Sequence, residues 1–368
     1  MVYSEKMGAR KIRVAVLRKR GGPLQIETLE MEGPQETEVL VRTSASGVCH
    51  TDISIVHNWN KTDGPLVLGH EGAGIVELTG KKVKALRPGD HVVLSYQSCG
   101  TCRGCKSGQP TKCRLFLELN FGFQRADGSN ALERSGVRGH FFGQSSFSTY
   151  MLATERNIVK VSKKLPLKIL APLGCGIQTG AGTVLNMLHV QKGESIIIFG
   201  TGTVGLAAVM AARIAGAHPI IGVDVRPARL KLACELGATH VLDSRTVDLA
   251  QDVRKITEGV DYALEITGDD QLMQLALEVL KKSGTATFFT GDGLPENVPR
   301  GKKALEVVEG DSVPQVFIPK LIKLSQSGKF PYGRLLDFYD FRDINVAMKD
   351  SLSGKTIKPV LCVGEKKF

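Results

Sequence analysis

Aromatic residues are scarce in this chain, 6% of 368 residues, and no stretch interleaves them with basic residues as a stacking surface for single-stranded nucleic acid requires. Long apolar runs are missing too. SIIIFG and GLAAVMAARIAGA are broken too early to span a bilayer. The opening MVYSEKMGARKIRVAVLRKRGG has no apolar core of a secretion signal, and GEKKF is neither a prenylation box nor a peroxisomal tripeptide. Internal repeats and low-complexity tracts are absent as well. A cytoplasmic protein that engages neither membrane nor nucleic acid is the expectation. The net charge of +11 does not reverse this, because the basic clusters KTDGP, ELTGKKVKALRPG, SKKLPLK and GEKKF are short and separated. Dispersed charge of this kind marks a solvated surface that also suits an anionic cofactor.

What is present is a composition that is 42% hydrophobic and 23% charged, in a chain long enough for two domains. The 41 glycines imply tight turns and close backbone approach. From Ile12 to about Cys99, short apolar runs such as IRVAVL, GAGIVEL and GDHVVLS are broken by Gly, Pro and Asp, the pattern of a compact β-rich domain. Residues 121–146 are Gly-rich with scattered charge and read as a long loop. Beyond Pro172, strand-like runs alternate with helix-length segments: SIIIF, GLAAVMAARIAGA, PIIGVD, ARLKLACELGA, HVLD, residues 249–257, VDYALEIT, QLMQLALEVLKKSG and TATFF. That alternation predicts an α/β unit with a doubly wound parallel sheet. A helix over VPQVFIPKLIKLSQSG then leads into an irregular tail ending in KPVLCV.

A reducing compartment makes the eight cysteines thiols or metal ligands before disulfides. Cys99, Cys102, Cys105 and Cys113 form C-x-x-C-x-x-C-x7-C, which can close tetrahedrally on one structural zinc. The rivals are an iron–sulfur cluster, whose usual spacing differs, and a redox pair, which leaves two cysteines unexplained. Cys49 in SGVCHTD, His70 in LGHEGAG and Cys175 in LGCGIQTG form a second set. Two thiolates and an imidazole leave a fourth position open, as a Lewis-acid zinc needs. Each of these alone is more often a core residue. Their glycine neighbours, with the acids Asp52 and Glu71 beside two of them, carry the reading.

The run SIIIF enters GTGTVG, where Gly200, Thr201, Gly202, Thr203, Val204 and Gly205 make G-x-G-x-x-G between a strand and a helix. The first glycine permits the turn, the second admits a pyrophosphate, and the third packs helix on strand. Asp224 ends the next strand, 19 residues after Gly205, where an acid would bind adenosine ribose hydroxyls. It would repel a 2′-phosphate, which favours NAD. Arg226 and Arg229 leave NADP open.

In this order the features resemble the zinc-containing medium-chain alcohol dehydrogenases over nearly the whole chain. LGCGIQTGAG and GDSVPQVFIPKLIKLSQSGKFPYGRLLDFY are similar to the aryl- or benzyl-alcohol branch. The resemblance implies a GroES-like β-rich catalytic domain over residues 1–178 and 321–368, and a Rossmann domain over 179–320, with the active site in the cleft. It also implies a homodimer or homotetramer acting on an alcohol or aldehyde. Cys49, His70 and Cys175 would hold the catalytic zinc, with Glu71 approaching from behind and Asp52 orienting His70. Thr51 would begin a proton relay, and His50 and Lys358 would lie near the cofactor pyrophosphate. Thr179 and Val204 would press on the nicotinamide, and Arg229 would reach the adenosine ribose. Many relatives carry a relay histidine where this chain has Ser54, so His50 or water must finish the relay, with His57 a weaker substitute. Pocket residues would come from around Asn58, Trp59, Phe116, Leu117, Phe121 and Asp292. The rival functions are an NADPH-dependent carbonyl reductase and a non-catalytic zinc and dinucleotide-binding protein.

Overall fold

The structure is a computed structural model and describes residues 8–58, 64–245, 248–289 and 293–364. The chain divides into two units. One is Met1–Cys175 with Val313–Ile322 and Gly333–Phe368; the other is Gly176–Ser312 with Lys323–Tyr332. Among the described residues no helix is long and apolar enough to cross a membrane.

The first unit opens with β1 (Arg10–Leu17), β2 (Leu24–Met31), β3 (Glu38–Gly47), α1 (His50–Asn58), β4 (Leu66–Val67), β5 (Glu71–Thr79) and β6 (His91–Leu94). It continues through α2 (Arg103–Lys106), α3 (Phe116–Phe121), β7 (Tyr150–Thr154), β8 (Ile158–Val161) and α4 (Leu167–Leu170). The second unit runs α5 (Gly176–Gly182), β9 (Ile196–Phe199), α6 (Thr203–Ala215), β10 (Ile220–Asp224), α7 (Pro227–Leu236), β11 (His240–Asp243), α8 (Leu249–Ile256), β12 (Val260–Glu265), α9 (Asp270–Glu278), β13 (Leu280–Phe288) and β14 (Lys303–Glu306). After α10 (Pro314–Gln326), the chain ends in β15 (Leu336–Asp340), α11 (Ile344–Ser353) and β16 (Lys358–Cys362).

In the first unit β3 is the hub. It pairs antiparallel with β5, β7 and β16, in a sheet ordered β15-β16-β3-β5-β6-β8, and a second sheet is ordered β2-β1-β4. The core joins Leu17, Leu66, Leu68, Tyr96, Phe141 and Phe147 to Ile344, Ala347 and Met348 of α11. In the second unit all pairings are parallel, in the order β11-β10-β9-β12-β13-β14. That is the doubly wound order of a dinucleotide-binding sheet. Its first strand is wholly buried over IIIF, as a parallel strand covered on both faces must be.

Three segments differ from the sequence expectation. The helix over QLMQLALEVLKKSG stops at Glu278, and Leu280–Phe288 is a strand between β12 and β14. Val279 and Leu280 are drawn into the sheet core, and Lys281 Nζ meets Asp261 of β12 at 2.7 Å. The tail is regular rather than irregular, because Ile344, Ala347 and Met348 recur on one buried helix face. Residues 121–146 form no regular strand, yet Phe123, Phe141, Phe142 and Gln144 are buried in them.

His140 in that segment is buried, and its Nε2 accepts from Ala131 N at 3.2 Å. Burial, reinforced by the positive charge of Arg125, pulls its pKa down from 6.5 to about 3. Between those values the unfolded chain binds the proton and the folded chain does not. Stability therefore falls as pH drops through the window, by up to about 1.4 kcal/mol per pH unit. Urea midpoints measured from pH 7 to 4 should decline less steeply for His140→Gln than for the native chain; equal slopes would show that His140 carries no such load.

Candidate active site

The four-cysteine lobe is built around α2 and a short turn at Pro110–Lys112. The sulfur atoms of Cys99, Cys102, Cys105 and Cys113 all lie within 4.8 Å of one another. Backbone amides point at them: Cys102 N donates to Cys99 Sγ at 3.4 Å and Cys99 N to Cys113 Sγ at 3.3 Å. Burial raises the Cys99 thiol, but donors from Thr101 and Cys102 outweigh it and bring it down to about 5. Burial pushes the Cys113 thiol up to about 12. Four sulfurs this close cannot all be thiolates without a cation among them. The donor set suits zinc and has no fifth ligand to leave open.

The second cluster assembles from three parts of the first unit. Cys49 precedes α1, His70 precedes β5 and Glu71 opens it, and Cys175 ends the unit's first stretch of chain. Their ligand atoms lie within 4.8 Å of one another, with Cys49 Sγ 4.0 Å from Cys175 Sγ. Asp52, 0% exposed, ties the parts together. Its Oδ2 accepts from Cys49 N at 3.0 Å, and its Oδ1 from Gly69 N at 2.9 Å and from His70 Nδ1 at 3.1 Å. With Nδ1 committed, Nε2 is the ring atom left to ligate, and it is buried without a hydrogen-bond partner. A buried orphan lone pair beside two thiols is what a metal ion satisfies. The proximity of Cys175, against burial and with help from Lys358 and His70, holds the Cys49 thiol well below its usual range.

Behind the cluster Lys358, 2% exposed, donates to Val48 O at 3.0 Å and to both oxygens of Glu71 at 2.7 and 2.9 Å. Three acceptors match the three ammonium donors. The resemblance sets Lys358 near a pyrophosphate; its ammonium here is bonded to Val48 and Glu71. Burial raises the Glu71 carboxyl to about 7, against the pull of Lys358. Thr51 Oγ1 lies 3.7 Å from Cys49 Sγ, His50 is exposed, and Ser54 Oγ accepts from Asn58 at 3.3 Å. Phe116 packs on Tyr96, while Leu117 and Phe121 are exposed. Trp59 and Asp292 lie outside the described residues.

In the second unit β9 turns through Gly200 at φ 93° into α6. A Cβ at Gly205 would sit 1.9 Å from Gly200 O, so only glycine lets the helix start so close to the strand. Asp224 Oδ2 accepts from Thr201 N at 2.8 Å and from its hydroxyl at 3.0 Å, and Oδ1 accepts from Arg226 N at 3.0 Å. Arg229 Nη1 is 3.9 Å from Asp224 and is the nearest side-chain atom to a Cβ built at Gly202. The acid therefore braces the turn it follows. On α5, Gly180 lies against Val204 O, and Glu309 accepts from Gln178 at 2.9 Å and sits 3.4 Å from the hydroxyl of Thr179. Glu309 was invisible in the sequence because nothing local distinguishes it from a surface acid.

Residues 35–163 match the family profile described as the alcohol dehydrogenase GroES-like domain, and residues 203–306 match the zinc-binding dehydrogenase profile. The chain is similar to geraniol dehydrogenase of Castellaniella defragrans, 43% identical over 94% of this chain and 96% of that protein. Among solved structures it is similar to benzyl alcohol dehydrogenase of Acinetobacter calcoaceticus, with a TM-score of 0.91 and 42% identity, covering 96% of this chain and all of that one. An alcohol dehydrogenase zinc-binding domain protein from Burkholderia ambifaria has a TM-score of 0.91 and 48% identity over 97% of this chain and 100% of the other. With the parallel dinucleotide sheet, the GroES-like β-domain and both cysteine clusters assembled, the chain belongs to the zinc-containing medium-chain alcohol dehydrogenases.

Proposed function

We propose that this dehydrogenase oxidises a primary aromatic or allylic alcohol to its aldehyde with NAD, reversibly. The observation that carries the reading is the open cluster, in which the His70 Nε2 lone pair is left without a hydrogen bond beside Cys49 and Cys175. The substrate class rests on the relatives named geraniol and benzyl alcohol dehydrogenase, since geraniol is allylic and benzyl alcohol aromatic. The catalytic domain is assigned to residues 1–178 and 321–368 and the cofactor domain to 179–320, in a cytoplasmic homo-oligomer. No disulfide joins any of the eight cysteines.

Cys49, His70 and Cys175 would hold a catalytic zinc, and the four-cysteine lobe a structural one. A bound zinc supplies Lewis acidity that lowers the pKa of the alcohol hydroxyl. Asp52 fixes the tautomer and direction of His70, and Lys358 holds Glu71 at the back of the cluster. Thr51 receives the hydroxyl proton by hydrogen bond, and His50 or solvent carries it away, because Ser54 is no base near neutral pH. Asp224 receives the adenosine ribose hydroxyls, with Arg229 beside it, and the Gly200–Gly205 turn takes the pyrophosphate. Thr179 and Val204 would face the nicotinamide of a bound cofactor.

Elemental analysis should find two zinc ions per chain, and a mild chelator should remove the open-site ion first while leaving the fold intact. Fully active protein with one ion or fewer rejects the assignment. Thr51→Ala should lower kcat by about 100-fold or more with both ions retained, and Thr51→Ser should not. Activity near native in Thr51→Ala would show that the proton leaves by another route.

Cofactor choice is tested separately. Asp224→Asn keeps the brace on Thr201 but removes the charge, so the ratio of kcat/KM for NADP over NAD should rise by about tenfold, near 1.4 kcal/mol. A native preference for NADPH over NADH overturns the role given to Asp224 and favours the carbonyl-reductase reading, for which Arg226 and Arg229 are in place.

A further inference from the structure

Residues 140–147 hold the densest run of left-handed backbone in the described chain. His140 (φ 66°), Phe142 (φ 51°), Gly143 (φ 59°) and Ser145 (φ 49°) all lie there, and three of the four are not glycine. Strain of this kind persists only where the surroundings over-determine it, and it clusters at functional sites. The surroundings here are the metal loop. Ser146 N donates to Gly69 O at 2.8 Å and Phe147 N to Leu68 O at 3.1 Å. A Cβ at Gly69 would meet Phe147 N at 2.5 Å, and one at Gly72 would meet Gln144 Oε1 at 2.9 Å. The glycines that flank His70 and Glu71 therefore make room for this segment.

Its side chains close on His70 from three directions. The Phe142 ring stacks on the imidazole at 4.6 Å, and Phe141 meets it edge-on at 5.4 Å. Gln144, 2% exposed, grips the backbone. Its Nε2 donates to His70 O at 2.8 Å and to Ser95 O at 3.2 Å, and its Oε1 accepts from Gly72 N at 3.0 Å. Ser95 in turn donates its hydroxyl to Gly174 O at 2.6 Å, one residue before Cys175. One amide thus links the backbones that carry two members of the open cluster, 105 positions apart (175 less 70). Asp52 sets the imidazole from its ring nitrogen; nothing on α1 reaches the His70 carbonyl in this way.

We infer that the 140–147 segment is a clamp on the open metal site and that Gln144 is a positioning residue for its ligands, fixing His70 and, through Ser95, Cys175. This rests on the reading of Cys49, His70 and Cys175 as a zinc site. A bulky side chain in the same space would fill the volume equally well. The metal site uses the amide of Gln144 and not its volume.

The test follows the release of zinc from the fully loaded enzyme to a chelating dye, together with the visible spectrum after cobalt(II) replaces the open-site ion. The native enzyme should release its ions in two phases, the open site first. Gln144→Met keeps the volume and loses every hydrogen bond. Gln144→Glu keeps the acceptor for Gly72 N but turns an acceptor toward two carbonyls. Both should speed the open-site phase by about tenfold or more, the usual effect of losing an outer support of a metal ligand, and should shift the cobalt bands, while the lobe phase stays at the native rate. Gln144→Asn, which keeps the amide one methylene short, should fall between them and the native enzyme, and it decides the matter if the other two do not fold. Two native phases with an unchanged open-site rate and cobalt spectrum in the variants overturn the clamp. Equal acceleration of both phases overturns it too, since Gln144 would then support only the fold. A native enzyme that releases a single ion instead removes the zinc-site reading itself.

Discussion

A carboxylate with no access to water must find its donors inside the protein, and Asp52 finds three, on Cys49 N, Gly69 N and His70 Nδ1. Those donors come from the two chain segments that carry Cys49 and His70, so the bonds that satisfy the charge also set the spacing of the cluster. Removing one partner from such an arrangement leaves a buried charge uncompensated, which costs more than the bonds contribute in net terms. The geometry is therefore held by a penalty against loosening it. It also fixes which nitrogen of His70 carries the proton, and the free Nε2 is the consequence.

The same logic extends behind the cluster. Glu71 is fully buried and paired with Lys358; a Cβ at Gly47 would stand 1.9 Å from its Oε2. Burial alone carries the carboxyl toward neutrality, and Lys358 is what keeps it near the point of ionising, at about 7. Neither Glu71 nor Lys358 could be buried alone.

The parts legible in the sequence were those whose chemistry is local. The glycine turn, the strand before it and the acid after it lie within about one βαβ unit, and the cysteine lobe spans residues 99–113. In both, spacing along the chain is itself the geometry. The open cluster was legible only through the neighbours of each ligand and the family resemblance, since residues 49, 70 and 175 are far apart. Gln144 and Glu309 left no mark, because a lone polar residue in a Gly-rich or acidic stretch looks like surface. The first half of the strand at Leu280–Phe288, residues 280–284, carries a helical pattern for a related reason, while TATF reads as strand. LALEVLKKSG keeps a helical period through Leu280, and only the partners on β12 decide otherwise. Lys358 was legible only through the resemblance, and its contacts with Val48 and Glu71 have no local signature in the sequence.

The two metal clusters show how differently a chain can hold sulfur. In the lobe the ligands sit within one short segment, and backbone amides turn toward the sulfurs, so local backbone geometry does most of the positioning. In the open cluster the ligands come from distant segments, and no single one of them can place the others. Position is set instead by buried side chains that bridge segments: Asp52 between residues 49 and 70, Lys358 between Val48 and Glu71, and Gln144 between His70, Gly72 and Ser95. Each bridge has to be polar to reach backbone, and each has to be buried to stay out of competition with water. A closed site can be specified by spacing alone. A site that keeps a position open has fewer ligands to hold itself together, and the surrounding polar contacts make up that difference.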